Sequence, residues 1–174
     1  MSEENQKPIG SGFGAKTPAA DVVKGMDLSG KNIIVSGGYS GFGIDDVRAL
    51  AGVGAQITVP ARRPDAAKEA LAEVDGQIEV ASMDLADLTS VRKFADDYVE
   101  SGRQLDILIN NAGIMACPLA RVGPGWESQF GINHLGHMAL AQGLLPALKK
   151  AGTSRVVALS STAHIRGDVN WDDQ

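Results

Sequence analysis

Asn32-Ile33-Ile34-Val35-Ser36 runs straight into Gly37-Gly38-Tyr39-Ser40-Gly41-Phe42-Gly43-Ile44, and this junction decides the fold. The run Asn32–Ser36 is almost continuously apolar, which predicts a strand buried on both faces. Gly43–Val53 then places Ile44, Val47, Leu50 and Ala51 at helical spacing, and Gly54 predicts the end of that helix. Between strand and helix the glycines are spaced Gly37-x-x-x-Gly41-x-Gly43. Gly37 permits a tight turn out of the strand. Gly41 lets the backbone come against a pyrophosphate, and Gly43 lets the helix pack on the strand. Free N–H groups and the helix dipole then face an anion. Tyr39, Ser40 and Phe42 occupy the rest of this loop and are candidate contacts with it. The plainer reading is an ordinary strand–helix turn.

Outward from this junction the chain alternates. Further strands are expected at Gln56–Ala61, Gln77–Ser82, Leu105–Asn110 and Arg155–Ser160. A helix over Pro64–Val74 turns Ala67, Ala70, Leu71 and Val74 inward. Asp87 caps another, whose face is Leu88, Val91, Phe94, Ala95 and Tyr98. Gly125–Lys150 reads as one long helix, apolar on most sides and so largely buried. Upstream, Thr17 is the expected N-cap of a short helix running to Val23, with Pro18 in its first turn. Residues 1–16 read as a flexible arm and residues 17–174 as one domain. Strands and helices at βαβ spacing predict an α/β fold, a doubly wound, Rossmann-like parallel sheet of strand order 3-2-1-4-5.

Composition sets outer limits. The 174 residues carry a formal net charge of −5, which speaks against a nucleic-acid binder relying on a basic face. Glycine makes up 21 of the 174 residues, about 12% against a usual 7% or so, and the excess calls for tight turns. A single cysteine, Cys117, allows no internal disulfide and no cysteine-based metal site. His134, His137 and His164 do not form a metal set and read as structural or solvent-facing. The start, Met1 to Pro8, has no apolar stretch of a signal peptide, and no apolar run is long enough to span a bilayer. A cytoplasmic protein without a membrane partner is expected.

The second strand ends in Ala61-Arg62-Arg63. An acid near this position would read the ribose hydroxyls of NAD, whereas guanidinium groups suit a 2′-phosphate. The pattern favours NADP over NAD. It also speaks against a methyltransferase, which would want an acid there. The alternative is that Arg62 and Arg63 are simply solvated ahead of a helix.

Several motifs now fall in order. Asp84-Leu85 ends the third strand, Asn110-Asn111-Ala112-Gly113 follows the fourth, and Asn133 lies in Ile132-Asn133-His134-Leu135-Gly136-His137. Ser160-Ser161 follows the fifth strand. From about Leu28 onward the chain resembles the short-chain dehydrogenase/reductase family. Its last stretches, Ala158–His164 and Val169–Asp173, are similar to the branch of retinol dehydrogenases and WW-domain oxidoreductases. The resemblance implies hydride transfer between a nicotinamide cofactor and an alcohol or carbonyl substrate. It implies that Asp84 and Leu85 contact adenine and that Asn110–Gly113 lines the cofactor. It also implies that Asn133 and Ser161 are catalytic, Ser161 on the substrate oxygen and Asn133 holding a relay water through its backbone.

Plainer roles stand beside these. Asp84 could cap its own loop, Asn110 could satisfy strand-end backbone groups, Asn133 could be structural and Ser161 a turn residue. The family pattern also asks for Tyr-x-x-x-Lys after the serine. The only tyrosines are Tyr39 and Tyr98, followed four residues on by Gly43 and Gly102. The expectation is therefore a cofactor-binding portion, weak in binding and inactive alone, or else a non-catalytic nucleotide-binding module. Without a covering segment, the long helix and the edge of the fifth strand should expose apolar surface, and the helix is a candidate homo-oligomer interface.

Overall fold

In the computed structural model, residues 10–161 are described. Among the described residues, five parallel strands build the main sheet: β1 (Asn32–Ser36), β2 (Gln56–Ala61), β3 (Gln77–Ser82), β4 (Ile107–Asn110) and β7 (Arg155–Ala158). Their order is β3-β2-β1-β4-β7, which is the expected 3-2-1-4-5 with the last strand renumbered. In the centre, β1 lies in register with β2 through Ile33 opposite Ile57, and with β4 through Ser36 opposite Asn110.

The run of apolar residues in β1 is explained by burial on both faces. Ile33 and Val35 pack with Val47 and Ala51 of helix α2 (Gly41–Gly52) and Leu71 of α3 (Pro64–Leu71). Ile34, pointing the other way, packs with Phe94 and Tyr98 of α4 (Leu88–Glu100), Leu140 of α5 (His137–Gly143) and Leu148 of α6 (Leu145–Lys150). Successive strand residues alternate faces, so a strand covered by helices on both sides must be apolar throughout. Ile33, Ile34 and Val35 are at most 1% exposed, and each such side chain stabilises the fold by about 1.5–3 kcal/mol.

Three expectations are corrected. The first helix is a single turn, α1 (Ala19–Val22), and Thr17 does not cap it; its hydroxyl accepts from the Gly14 N–H instead (3.0 Å). Helix α3 ends at Leu71 rather than Val74, and Ala70 faces solvent. The largest change is at Gly125–Lys150, which is not one helix. Its first residues belong to a hairpin of β5 (Arg121–Val122) and β6 (Trp126–Glu127), turned by Gly123-Pro124-Gly125. A π-helical turn (Phe130–Gly136) follows, then α5 and α6, which meet at Leu144 two residues before Pro146. Proline offers no N–H to a helix interior, so the ladder is interrupted there. The segment is also less buried than its composition suggests, because Phe130, Met138 and Leu145 are exposed. The expected exposure of the last strand is present: Val156 and Val157 in β7 are about half exposed.

Residues 1–9 and 162–174, including most of the expected N-terminal arm and His164, lie outside the described residues. No helix among the described residues is long and apolar enough to cross a membrane.

Candidate functional site

The carboxyl ends of β1 to β4 open on one side of the sheet, where ligands of open α/β folds collect. A cavity of about 570 Å³ lies there, within the usual range for small-molecule sites. Most of its walls come from four places, with Ile132 of the π-helical turn and Leu159 after β7 completing them. The glycine loop contributes Gly37, Tyr39, Ser40, Gly41 and Phe42. The end of β2 contributes Arg62, the end of β3 Asp84 and Leu85, and the turn after β4 Asn111, Ala112 and Gly113. Residues some fifty and seventy positions from the loop thus meet it in one space.

The loop offers an anion an open place. Ser40 stands at the N-cap of α2 but its side chain makes no capping bond, and the first turn of α2 holds no acid. The first N–H groups of a helix have no partner within it, so an outside acceptor is favoured there. By contrast, α4 is closed by its own Asp87, which accepts from Thr89 N–H (2.8 Å). Gly41 has a φ of +54°, and a Cβ there would meet nothing within 4 Å. At Gly43 a Cβ would lie 2.3 Å from the Gly37 carbonyl oxygen and 2.6 Å from Asn111 Nδ2. Gly43 thus packs against its own loop and the Asn111 turn, not simply helix against strand. These features fit a dinucleotide's pyrophosphate.

Asn111 ties the two glycine-containing turns together. Its Nδ2 donates to the Ser36 carbonyl (3.0 Å) and, at 3.4 Å, to that of Gly37. Ser36, the last residue of β1, lies beneath: its Oγ accepts from the N–H groups of Asn111 (3.0 Å) and Ala112 (3.1 Å). The ring of His137 lies on the other side of that hydroxyl, with Nε2 2.8 Å away, and its Nδ1 is 2.9 Å from the Asn133 carbonyl. Burial pushes the His137 imidazole below its ordinary pKa, against the opposing pull of the Asn133 carbonyl.

Asp84 has both of its expected roles open to it. Its Oδ1 closes a local turn by accepting from Ala86 N–H (2.9 Å), and the residue also lines the cavity. Arg62 and Arg63 are both exposed and neither has an ion-pair partner among the described residues, yet only Arg62 lines the cavity. Asn110 is buried, with Oδ1 unpartnered among the described residues. Neither Gly43 nor Asn110 lines the cavity. Asn133 is exposed and its side chain forms a cyclic pair with the backbone of Ile114, accepting from its N–H (2.9 Å) and donating to its carbonyl (2.8 Å). It thereby fixes the stretch that carries Ile114 and Met115 along the cavity wall. Neither Asn133 nor Ser161 lines the cavity; Ser161 is exposed three residues past β7.

The wall residues Ser36, Pro60, Met83, Ile132 and Leu159 were not among those the sequence pointed to. Ser36 carried a signal, being a polar residue that ends a buried apolar strand and so needs partners. Of the two tyrosines, Tyr39 lines the cavity, while Tyr98 lines a different one between β3 and α4. The Tyr98 hydroxyl donates to the Gln104 carbonyl (3.1 Å), the Arg103 guanidinium lies 4.5 Å from its ring centre, and burial pushes its pKa up to about 12.

Comparison with known proteins agrees with this arrangement. The family model for short chain dehydrogenases matches residues 31–171. A probable oxidoreductase of Streptomyces lividans is 44% identical over 153 residues, covering 85% of this chain and 50% of that protein. Human retinol dehydrogenase 13 is 37% identical over 176 residues, covering 95% of this chain and 53% of that protein. The chain spans about half the length of the curated relatives it matches. A crystal structure of an uncharacterised protein from Mycobacterium paratuberculosis superposes with a TM-score of 0.76 at 44% identity, over 84% of this chain and 52% of that one. RhlG of Pseudomonas aeruginosa, in an active-site complex with NADP, superposes with a TM-score of 0.70 at 26% identity, over 88% and 61%. Matched by the family model over residues 31–171, the chain belongs to the short-chain dehydrogenase family.

Proposed function

We propose that the chain is the cofactor-binding portion of an NADP-dependent oxidoreductase acting on an alcohol or carbonyl substrate, and that by itself it binds NADP without turnover. The observation that carries the reading is the single cavity joining the uncapped N-terminus of α2, Arg62, Asp84 and the Asn111–Gly113 turn. In this reading the first amides of α2 take the pyrophosphate. Arg62, a cation without an ion-pair partner among the described residues, takes the 2′-phosphate. Arg63 adds positive field from outside the cavity. Asp84 and Leu85 border the adenine, and Asn110 supports the Asn111 turn from below. The bound nicotinamide would supply or accept the hydride. Asn133 and Ser161 are assigned to the substrate side, Ser161 holding the substrate oxygen.

The absence of turnover rests on the tyrosines. Tyr98 is engaged elsewhere, and Tyr39 has no lysine four residues on. The same fact supports a second reading, a nucleotide-binding module without catalysis. Homo-oligomerisation along residues 125–150 is also part of the proposal, supported by the exposure of Met138 and Leu145.

Titration with NADPH, NADH and S-adenosylmethionine, followed by calorimetry, tests the ligand. NADPH is expected to bind tightest, and a preference for S-adenosylmethionine overturns the reading. Steady-state oxidation of NADPH with any carbonyl by the pure chain would overturn the absence of turnover.

A further inference from the structure

The Ser36 hydroxyl is hydrogen-bonded to three groups at once, and this determines where the proton on His137 sits. A hydroxyl has one hydrogen to donate and two lone pairs that accept. The N–H groups of Asn111 and Ala112 use both lone pairs. The hydrogen must therefore go to His137 Nε2, 2.8 Å away, and Nε2 must be bare. A neutral imidazole then carries its hydrogen on Nδ1, which donates to the Asn133 carbonyl at 2.9 Å. Every donor in this hydrogen-bonded row then meets an acceptor, and no other tautomer satisfies all of its members. His137 is 7% exposed and Ser36 fully buried, so no water is at hand to replace either bond.

We propose that His137 is a positioning residue of the cofactor cavity. As the Nδ1–H tautomer it holds the Asn133 carbonyl in the π-helical turn. Through Ser36 Oγ it also holds the Asn111 and Ala112 amides that form the cavity floor. It does not touch the cavity itself, whereas Ser36, Asn111 and Ala112 line it. The link crosses 101 positions of sequence and joins β1, the turn after β4 and the start of α5. It therefore sets the spacing between the cofactor side of the site and the helix that bears Asn133. This inference rests on the reading of the cavity as an NADP site.

Two measurements test it. In the chain labelled with nitrogen-15 at histidine, ring nitrogen shifts at about pH 8 are expected to show His137 protonated at Nδ1 and bare at Nε2. The Nε2 signal is also expected to move when NADPH is added. An Nε2–H tautomer, or a signal indifferent to saturating NADPH, overturns the proposal. The second measurement is NADPH affinity for the parent, His137→Phe, Ser36→Ala and the double variant. Each single change is expected to weaken binding roughly tenfold, since each leaves a buried polar partner unpaired. The double variant should be no weaker than the worse single one, because both changes cut the same link. Binding by His137→Phe within about twofold of the parent, or losses that multiply in the double variant, overturns the link. Should His137→Phe fail to fold, the tautomer and its response in the unmutated chain decide. If the parent itself does not bind NADPH, the cofactor reading fails and this role falls with it, while the tautomer still reports on the network.

Discussion

Alanine at Gly41 and alanine at Gly43 are the same substitution two residues apart, and the structure gives them opposite consequences. At Gly41 the new methyl group meets no protein atom within 4 Å, so the folded state loses only by holding alanine at a φ of +54°. That left-handed conformation costs roughly 1–2 kcal/mol, partly offset by about 0.5–1 kcal/mol from a stiffer unfolded chain. The net loss of about 1 kcal/mol lowers the melting temperature by about 2–4 °C for a chain of this size. The methyl group instead occupies the space in front of the α2 amides, and NADPH affinity is expected to fall by about tenfold or more. At Gly43 the methyl carbon would sit 2.3 Å from a backbone oxygen and 2.6 Å from Asn111 Nδ2. Ordinary carbon–oxygen contacts are about 3.3 Å or longer, so the loop or the Asn111 turn must move by roughly 1 Å. Overpacking of this kind costs about 3 kcal/mol or more when the obstacle is backbone. The expected drop in melting temperature is then about 6–12 °C. Thermal melts followed by circular dichroism, with NADPH titration of both variants, check the pair. A Gly41→Ala chain that binds NADPH like the parent, or a Gly43→Ala chain that melts with it, would refute the assignment of one glycine to the ligand and the other to the fold.

Two more outcomes follow. Arg62→Ala is expected to reduce the preference for NADPH over NADH by roughly tenfold or more, the scale of one charge-assisted hydrogen bond. Arg63→Ala should do less, because only Arg62 lines the cavity; equal effects in competitive titrations would show that the cavity wall does not govern the choice. The stability contribution linked to His137 has a definite pH window. Its folded-state pKa lies below the ordinary 6.5 because burial disfavours the charged ring. The unfolded chain therefore binds the proton more readily. The contribution is complete above about pH 6.5 and is lost as pH falls through the lower folded-state value. Urea unfolding of the parent and His137→Phe across this range should show a slope in the parent that the variant lacks.

The parallel sheet, its strand order and the glycine loop were legible from residue order alone. Each depends on signals carried within a few neighbouring positions: the apolar runs of β1 and β2, the glycine spacing at residues 37–43, and the capping Asp87 of α4. Right-handed crossovers then leave few ways to arrange the strands. The meeting of Arg62, Asp84 and Asn111 at one cavity was legible too, because parallel strands bring all their carboxyl ends to one side. The division of residues 125–150 was less so. Its apolar composition resembles a buried helix, but the turn at Gly123-Pro124-Gly125, the π-helical turn and the interruption before Pro146 cut it into separate pieces.

Only the tertiary structure separated Arg62 from Arg63, paired Asn133 with Ile114, and brought His137 onto Ser36. Adjacent arginines look alike in sequence, and their difference is one of direction at the end of a strand. A histidine in an apolar helix reads as ordinary core until its partner is known. That partner lies 101 positions away, and no local preference encodes so distant a contact. The packing of helix on sheet decides which ring nitrogen meets which hydroxyl, and the count of hydrogens then determines the tautomer.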